Sequence, residues 1–179
     1  MPVSSDLLSP HFTVQEFTAS ATADRLGLWN WPGAAAFANL ERLAAEFEKV
    51  RTLCGNVPFL HRLDVTEQLR LRKLGETFGV LTNAYRSPEL NAAVGGKPTS
   101  AHQDGRALDF LPPKGWTLDQ LQQAIGADPS ILFDRILEER TADGTAAWLH
   151  FQIADEGALP KRLVLDLVAD AHILRKAEA

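Results

Sequence analysis

Apolar positions along the chain recur with two different spacings, and each spacing predicts a different kind of element. Between residues 34 and 53 the apolar side chains keep close to a period of about 3.6 residues, with charged side chains on the opposite face, which predicts a long amphipathic helix. Residues 87–96 and 117–126 each begin with a helix-start residue and end with glycine, which predicts a helix in each segment. Two further helices are predicted, at residues 65–78 and 160–176.

Strands are predicted where short apolar or β-branched runs lie between turn residues. Four such runs are present, at residues 79–85, 106–112, 132–139 and 146–154. Asp143 and Gly144 form a hairpin signal between the last two runs, which predicts that these two strands are antiparallel. Because strands and helices are interspersed and one hairpin is antiparallel, the order favours an α+β domain over a doubly wound one.

The size and composition of the chain predict one soluble domain over residues 1–179. Residues 1–33, which are interrupted by prolines and Gly27, are expected to form an N-terminal arm packed on the body of the domain. The net charge of -5 argues against a nucleic-acid partner. No run approaches the roughly 18 apolar residues of a membrane span, and the N-terminal residues lack the basic and apolar segments of a signal peptide.

Three polar residues in apolar or tightly turning surroundings are candidate metal ligands. Asp109 lies inside the run "ALDFL" and His150 inside "AWLHFQI", while His102 precedes Asp109 by seven residues. Burying a carboxylate in an apolar strand is costly unless it is paired or bound to a metal. Catalytic zinc sites use three protein ligands of these types. By spacing alone, however, either histidine fits an ordinary core position, and Asp109 fits a loop cap.

Four separated motifs in the right order give the chain a family resemblance. Residues 100–109, "SAHQDGRALD", match Ser-x-His-x-x-Gly-x-Ala-x-Asp, and "WLH" at 148–150 matches Trp-x-His. "AYRSPELN" at 84–91 resembles Gly-Tyr-Arg-Ser-Pro, with Ala84 where glycine is usual. The chain therefore resembles the zinc D-Ala-D-Ala carboxypeptidase and hedgehog-like metallopeptidase superfamily. Its N-terminal segments "LSPHFTVQEF" and "RLGLWNWP" resemble the phage-associated branch.

The resemblance implies a fold and a set of site residues. The implied fold is a small central antiparallel sheet flanked by helices. The implied metal is one Zn²⁺, bound by His102, Asp109 and His150. Arg86 would hold a substrate carboxylate or carbonyl, because its planar fork suits bidentate contact. Substrate contacts are also expected from Ser100, which is otherwise a loop residue, and from Trp148, which otherwise packs beneath the site.

The general base is the residue at which the chain departs from many relatives. Those relatives place an acid three residues before the last histidine, where this chain has Ala147. "FDRILEE" at 133–139 instead resembles a strand motif of the phage-associated branch and places Glu139 at its acidic position. Glu138 is the alternative, although adjacent strand residues face opposite sides. Asp134 is expected to support a ligand histidine or to start the strand.

These residues predict a zinc peptidase that hydrolyses peptidoglycan stem peptides, as a carboxypeptidase or as an endolysin-type endopeptidase. The alternative is a non-catalytic metal-binding, wall-binding or virion-associated module of the same fold. Ala147 and an additional helix within residues 56–76 favour that alternative. A zinc hydrolase acting on another amide is a third possibility. We expect cytoplasmic synthesis, action on the cell wall after release, and a phage or prophage origin.

Overall fold

The computed structural model describes residues 7–141, 147–168 and 171–174. Its helices and strands are interspersed along the chain, and none of the described helices combines the length and apolar character needed to cross a membrane. In chain order the elements are β1 (Leu7–Ser9), β2 (Phe12–Thr13), α1 (Val14–Thr18), α2 (Ala21–Leu26), α3 (Ala34–Leu53), β3 (Phe59–His61), α4 (Val65–Leu74), β4 (Gly79–Asn83), α5 (Pro88–Ala93), β5 (Ala107–Leu111), α6 (Leu118–Ala127), β6 (Arg135–Arg140), β7 (Ala147–Gln152), β8 (Leu163–Val168) and β9 (Ala171–Leu174).

The main sheet is larger than predicted and is mixed. Within the described residues it has seven strands in the order β3-β4-β5-β7-β6-β8-β9. The pairs β3/β4 and β6/β8 are parallel, and the other pairs are antiparallel. The α+β class is confirmed, whereas the prediction of a small antiparallel sheet is wrong because strands are added at both edges.

The two added edges come from segments that the sequence pattern assigned differently. Residues 59–61, for which the sequence pattern predicts neither a helix nor a strand, form β3 beside β4. Residues 160–176 were predicted to be a helix, yet their described part contains β8 and β9. The run "LVLDLV" at 163–168 is apolar except for Asp166, and such a short, nearly continuous apolar run suits a strand as well as a buried helix segment. Pairing with β6 decides between the two.

Most other predicted elements are confirmed, with shifts at their ends. The long helix spans Ala34–Leu53 as predicted. Helix α4 ends at Leu74 because Gly75 adopts a left-handed conformation there. Helix α6 starts with a capping box at Thr117 and continues through Gly126 to Ala127. The predicted Asp143–Gly144 turn lies outside the described residues, although β6 and β7 are antiparallel as expected.

The hydrophobic core lies between the sheet and helices α3 and α6. Phe47 of α3 packs its ring against aromatic rings of β3, β5 and β7, with centroid distances of 5.0 Å to Phe59, 4.9 Å to Phe110 and 6.2 Å to Phe151. Leu121 of α6 belongs to the same buried cluster. We call this side of β5 and β7, which carries Phe110 and Phe151, the core face.

The first described residues contact α3. Glu48 of α3 accepts hydrogen bonds from Ser9 Oγ at 2.7 Å and from the His11 backbone N–H at 2.9 Å. Phe12 and Phe17 are buried in the core cluster. Thr13 and Glu16 form a capping box at the start of α1. These contacts hold the N-terminal segments of the described chain against the long helix.

Candidate metal centre

His102, Asp109 and His150 meet on the side of the sheet opposite the core face. Asp109 and His150 are direct partners across the antiparallel pair β5/β7. Both alternate with core residues, so their side chains point away from α3. His102 comes from the turn before β5. One ligand atom from each residue lies within 4.8 Å of the other two, and all three residues are buried. We call this side of β5 and β7 the site face.

The turn that carries His102 depends on a glycine. Gly105 has φ of +71°, a conformation that favours glycine. A Cβ at this position would also lie 2.4 Å from the carbonyl oxygen of Ala36 in α3. The Arg86 backbone N–H donates to the His102 carbonyl at 3.1 Å, which ties the turn to the segment after β4. A glycine is therefore required both for the turn and for its close packing on α3.

The ring nitrogens and the carboxylate fit a zinc ion. His102 Nδ1 lies 2.5 Å from the Ala84 carbonyl oxygen, which can only accept, so Nδ1 carries the proton and Nε2 is free to ligate. His102 Nε2 lies 3.4 Å from Asp109 Oδ2, and His150 Nδ1 lies 2.9 Å from Asp109 Oδ1. Two imidazole nitrogens and one carboxylate form a set that zinc prefers, and they leave a fourth position for water or substrate.

The electrostatics of the three residues favour a cation among them. Burial alone would raise the pKa of Asp109, but the charges and hydrogen bonds of His102 and His150 hold it well below its usual range. Burial alone would lower the pKa of His150, but Asp109 and then Glu139 raise it above its usual value of 6.5. The carboxylate is therefore charged, and the pocket stabilises positive charge, whether a proton on His150 or a metal ion.

Two neighbouring amides support the ligands, and sequence reasoning missed both. Asn83 Nδ2 lies 3.5 Å from Asp109 Oδ2. Gln152 lies two residues after His150 on the site face, where it contributes to the raised pKa of His150, and its Nε2 donates to Asp134 Oδ2 at 3.4 Å. Asp134 therefore reaches the ligand histidine through Gln152 and not directly. Gln152 follows His150 by two residues on one strand, so the two side chains share a face. This spacing is the sequence feature that could have indicated Gln152 as a supporting residue.

The strand register separates Glu139 from Glu138. Glu139 is the cross-strand partner of Trp148, and Leu137 is the partner of His150. Glu139 consequently lies on the site face, and Trp148 Nε1 donates to its Oε2 at 3.1 Å. Glu138 is paired with the core residue Leu149 and forms an ion pair with Arg140. The structure therefore brings Glu139, and not Glu138, to the side that carries the candidate ligands.

The charges of Asp109 and Glu139 act on Arg86. Burial lowers the pKa of its guanidinium, against the opposing charges of Asp109 and Glu139. Its Nε is buried without a hydrogen-bond partner among the described residues. Asn30 holds the backbone on both sides of Arg86. Its side chain accepts from the Ser87 N–H at 2.7 Å and donates to the Tyr85 carbonyl at 3.2 Å. A buried guanidinium donor without a partner among the described residues, carried on a backbone that Asn30 holds, is suited to bind an anionic or carbonyl group.

The remaining candidate residues are not among the three candidate ligands. Ser100 is half-buried and opens the turn of His102, where its carbonyl accepts from the Gln103 N–H at 3.0 Å. Its contact with substrate stays a prediction, as does that of Trp148, which is half-buried beside Glu139. His11 binds Glu48 and His61 accepts from the Leu63 N–H, so both have partners away from the three candidate ligands.

Comparison with known proteins gives one family match. A family model described as Peptidase M15 matches residues 10–130, more than half of the chain. The matched span includes Arg86, His102 and Asp109 and ends before β6 and β7, which carry Glu139 and His150. No curated protein matches the chain.

Proposed function

Because the chain belongs to the peptidase M15 family, whose members are zinc-dependent metallopeptidases, we propose that it hydrolyses peptide bonds in the stem peptides of peptidoglycan. The single observation that carries this proposal is the buried group of His102, Asp109 and His150. Two adjacent strands and a glycine turn hold these side chains together, and their donor atoms suit one Zn²⁺.

The proposed mechanism divides the chemistry between the ion and the chain. When bound, Zn²⁺ supplies Lewis-acid polarisation of a carbonyl group and acidifies water at the site. Glu139 accepts a proton from the attacking water and then donates it to the leaving amine nitrogen. Arg86 orients the substrate through a carboxylate or carbonyl oxygen, because its backbone segment is held by Asn30 and its Nε is a buried donor without a partner among the described residues.

The position of Glu139 supports catalysis over a purely binding role. The non-catalytic alternative was suggested by Ala147, which occupies the position where many relatives place an acid. Glu139 offers a carboxylate from the neighbouring strand β6, on the face that carries His150. Its charge acts on both His150 and Arg86. A carboxylate close to a candidate metal ligand and a candidate substrate-binding arginine suits a general base.

The proposal covers two kinds of bond. Arg86 suits the free carboxylate of a D-Ala-D-Ala terminus, and it suits equally the carbonyl of an internal stem-peptide bond. The first makes the protein a carboxypeptidase and the second an endolysin-type endopeptidase. Delivery by a phage rests on the resemblance of the N-terminal segments "LSPHFTVQEF" and "RLGLWNWP" to the phage-associated branch.

Mass spectrometry of purified peptidoglycan peptides tests the proposal directly. The zinc-loaded protein is incubated with peptidoglycans of several stem types, with and without a chelator. Chelator-sensitive loss of a terminal alanine would indicate a carboxypeptidase, and a cut inside the stem would indicate an endopeptidase. The Glu139→Gln variant should lose activity, whereas Glu138→Gln, its matched control, should keep it. Zinc-loaded protein that cleaves none of the peptidoglycans would contradict the proposal and favour the binding module.

A further inference from the structure

Strand β7 presents three side chains on the site face, and each of them contacts an acidic residue from a different segment. Trp148, His150 and Gln152 alternate along the strand and therefore share a face. Trp148 contacts Glu139 of β6, His150 contacts Asp109 of β5, and Gln152 contacts Asp134 before β6. The contact between His150 and Asp109 belongs to the candidate metal centre. The contact between Trp148 and Glu139 involves the proposed base.

The contact between Trp148 and Glu139 is defined by the strand register. The two residues lie directly opposite each other in the antiparallel pair β6/β7. The indole Nε1–H donates to Glu139 Oε2 at 3.1 Å, which is a normal hydrogen-bond length. A glutamate side chain has several rotatable bonds, so a free carboxylate samples many positions. A rigid donor from the neighbouring strand restricts that freedom.

We infer that Trp148 is a positioning residue that fixes the carboxylate of Glu139 in the orientation needed for proton transfer. The inference rests on the proposed role of Glu139 as the base. The indole holds Oε2, so that Oε1 is presented to the attacking water. This role depends on the indole N–H, whereas packing of Trp148 against its neighbours depends only on the ring. The two roles predict different results when the N–H alone is removed.

A double-mutant cycle separates the two roles. The variants are Trp148→Phe, Glu139→Gln and the double variant, each loaded with zinc and assayed on a purified peptidoglycan peptide that the wild type cleaves. Loss of a hydrogen bond to a charged group predicts that Trp148→Phe lowers kcat by roughly 10-fold to 100-fold. KM and zinc affinity should change far less than kcat, because Phe keeps an aromatic ring where Trp148 is expected to contact substrate and because neither quantity depends on the orientation of the base. In the Glu139→Gln background the same change should have little further effect on kcat.

A second measurement keeps the indole in place. In the zinc-loaded protein the Nε1–H resonance of Trp148, assigned by its loss in Trp148→Phe, should move when Glu139→Ala removes the acceptor. Trp116→Phe is the matched control for loss of an indole N–H. Trp116 lies before α6 and packs against the hydrophobic core, so this change should leave kcat unaltered.

Three outcomes would overturn the inference. They are a wild-type kcat in Trp148→Phe, an equal loss in the wild-type and Glu139→Gln backgrounds, and an indole resonance that does not respond to Glu139→Ala. Full activity in Glu139→Gln would instead refute the proposed base, and the inference with it. If no variant and no wild-type sample cleaves any peptide, the indole resonance still reports whether Trp148 holds Glu139, so failure of the proposed function is distinguishable.

Discussion

The two faces of strands β5 and β7 carry different kinds of residue at alternating positions. On the core face, Phe110 and Phe151 are fully buried against α3. On the site face, Asp109 and His150 are buried beside His102, and their polar atoms contact one another. The backbone of the same two strands therefore fixes both the core and the candidate metal centre. Neighbouring residues in the sequence should affect different properties when they are changed.

Burying side chains has a different effect on the free energy of folding on the two faces. Apolar side chains on the core face stabilise the fold because their surface is removed from water. Buried polar groups on the site face are tolerated because each has a partner, and burying such groups costs free energy that an apolar pair would not. The site face is thus the part of the sheet that function, and not stability, explains.

The largest expected effect is on the core face. Phe110→Ala should lower the free energy of unfolding by about 3 to 5 kcal/mol, because it removes a ring packed against Phe47 and leaves a cavity. Urea unfolding of the zinc-free protein measures this change. Zinc titration of the folded variant should give the affinity of the wild type. A comparable loss of zinc affinity would show that the two faces are not separable.

The sequence predicted the site better than the architecture around it. His102, Asp109 and His150 were identified as candidates by their match to two short motifs, and the pairing of β5 with β7 places Asp109 beside His150. Glu139 was preferred to Glu138 because of a motif resemblance, and the register of β6 against β7 places it on the site face. Each of these predictions rests on a short motif within one strand or turn.

The failures came from information that lies elsewhere in the chain. The run at 163–168 suits a helix or a strand locally, and its parallel pairing with β6 makes it β8. Residues 59–61 form β3 only because β4 lies beside them. Asn83 reaches Asp109 only through the register of β4 against β5, and Gln152 has a local signal, its spacing of two from His150, that lies outside the ligand motifs.

A change of pH should alter zinc binding on the site face, and this effect should be smaller than that of Phe110→Ala. Zinc needs a neutral imidazole, and the pKa of His150 is raised above 6.5, after the opposing effect of burial, by Asp109 and Glu139. Zinc affinity should therefore fall by about tenfold per pH unit once the pH drops below that raised pKa. Asp109 stays charged, because its pKa is held well below its usual range.

The zinc-free protein should respond to pH in the opposite direction. Since the folded-state pKa of His150 is raised, the stability that its protonated form contributes is fully present below pH 6.5. That stability is lost as the pH rises through the raised pKa. Urea unfolding and zinc titration from pH 5.5 to 8.5 measure both trends, and Phe110→Ala should follow the same two trends as the wild type. A zinc affinity that does not change with pH would contradict the assignment of His150 as a ligand.

The smallest expected effect tests whether the site face extends beyond its three candidate ligands. Gln152→Leu keeps the approximate size of the side chain but removes its hydrogen bond to Asp134 and the polar amide that contributes to the raised pKa of His150. Because such supporting groups hold a ligand ring in orientation, zinc affinity should fall by about 10-fold, measured by competition with a chelator of known affinity. Gln123→Leu is the matched control, since Gln123 is exposed on α6 and contacts Asp119. Equal zinc affinities in the two variants would restrict the site to His102, Asp109 and His150. A selective loss in Gln152→Leu would mean that β7 contributes a supporting residue as well as a ligand, so that a change two positions from His150 on the site face alters metal binding while a change on the core face does not.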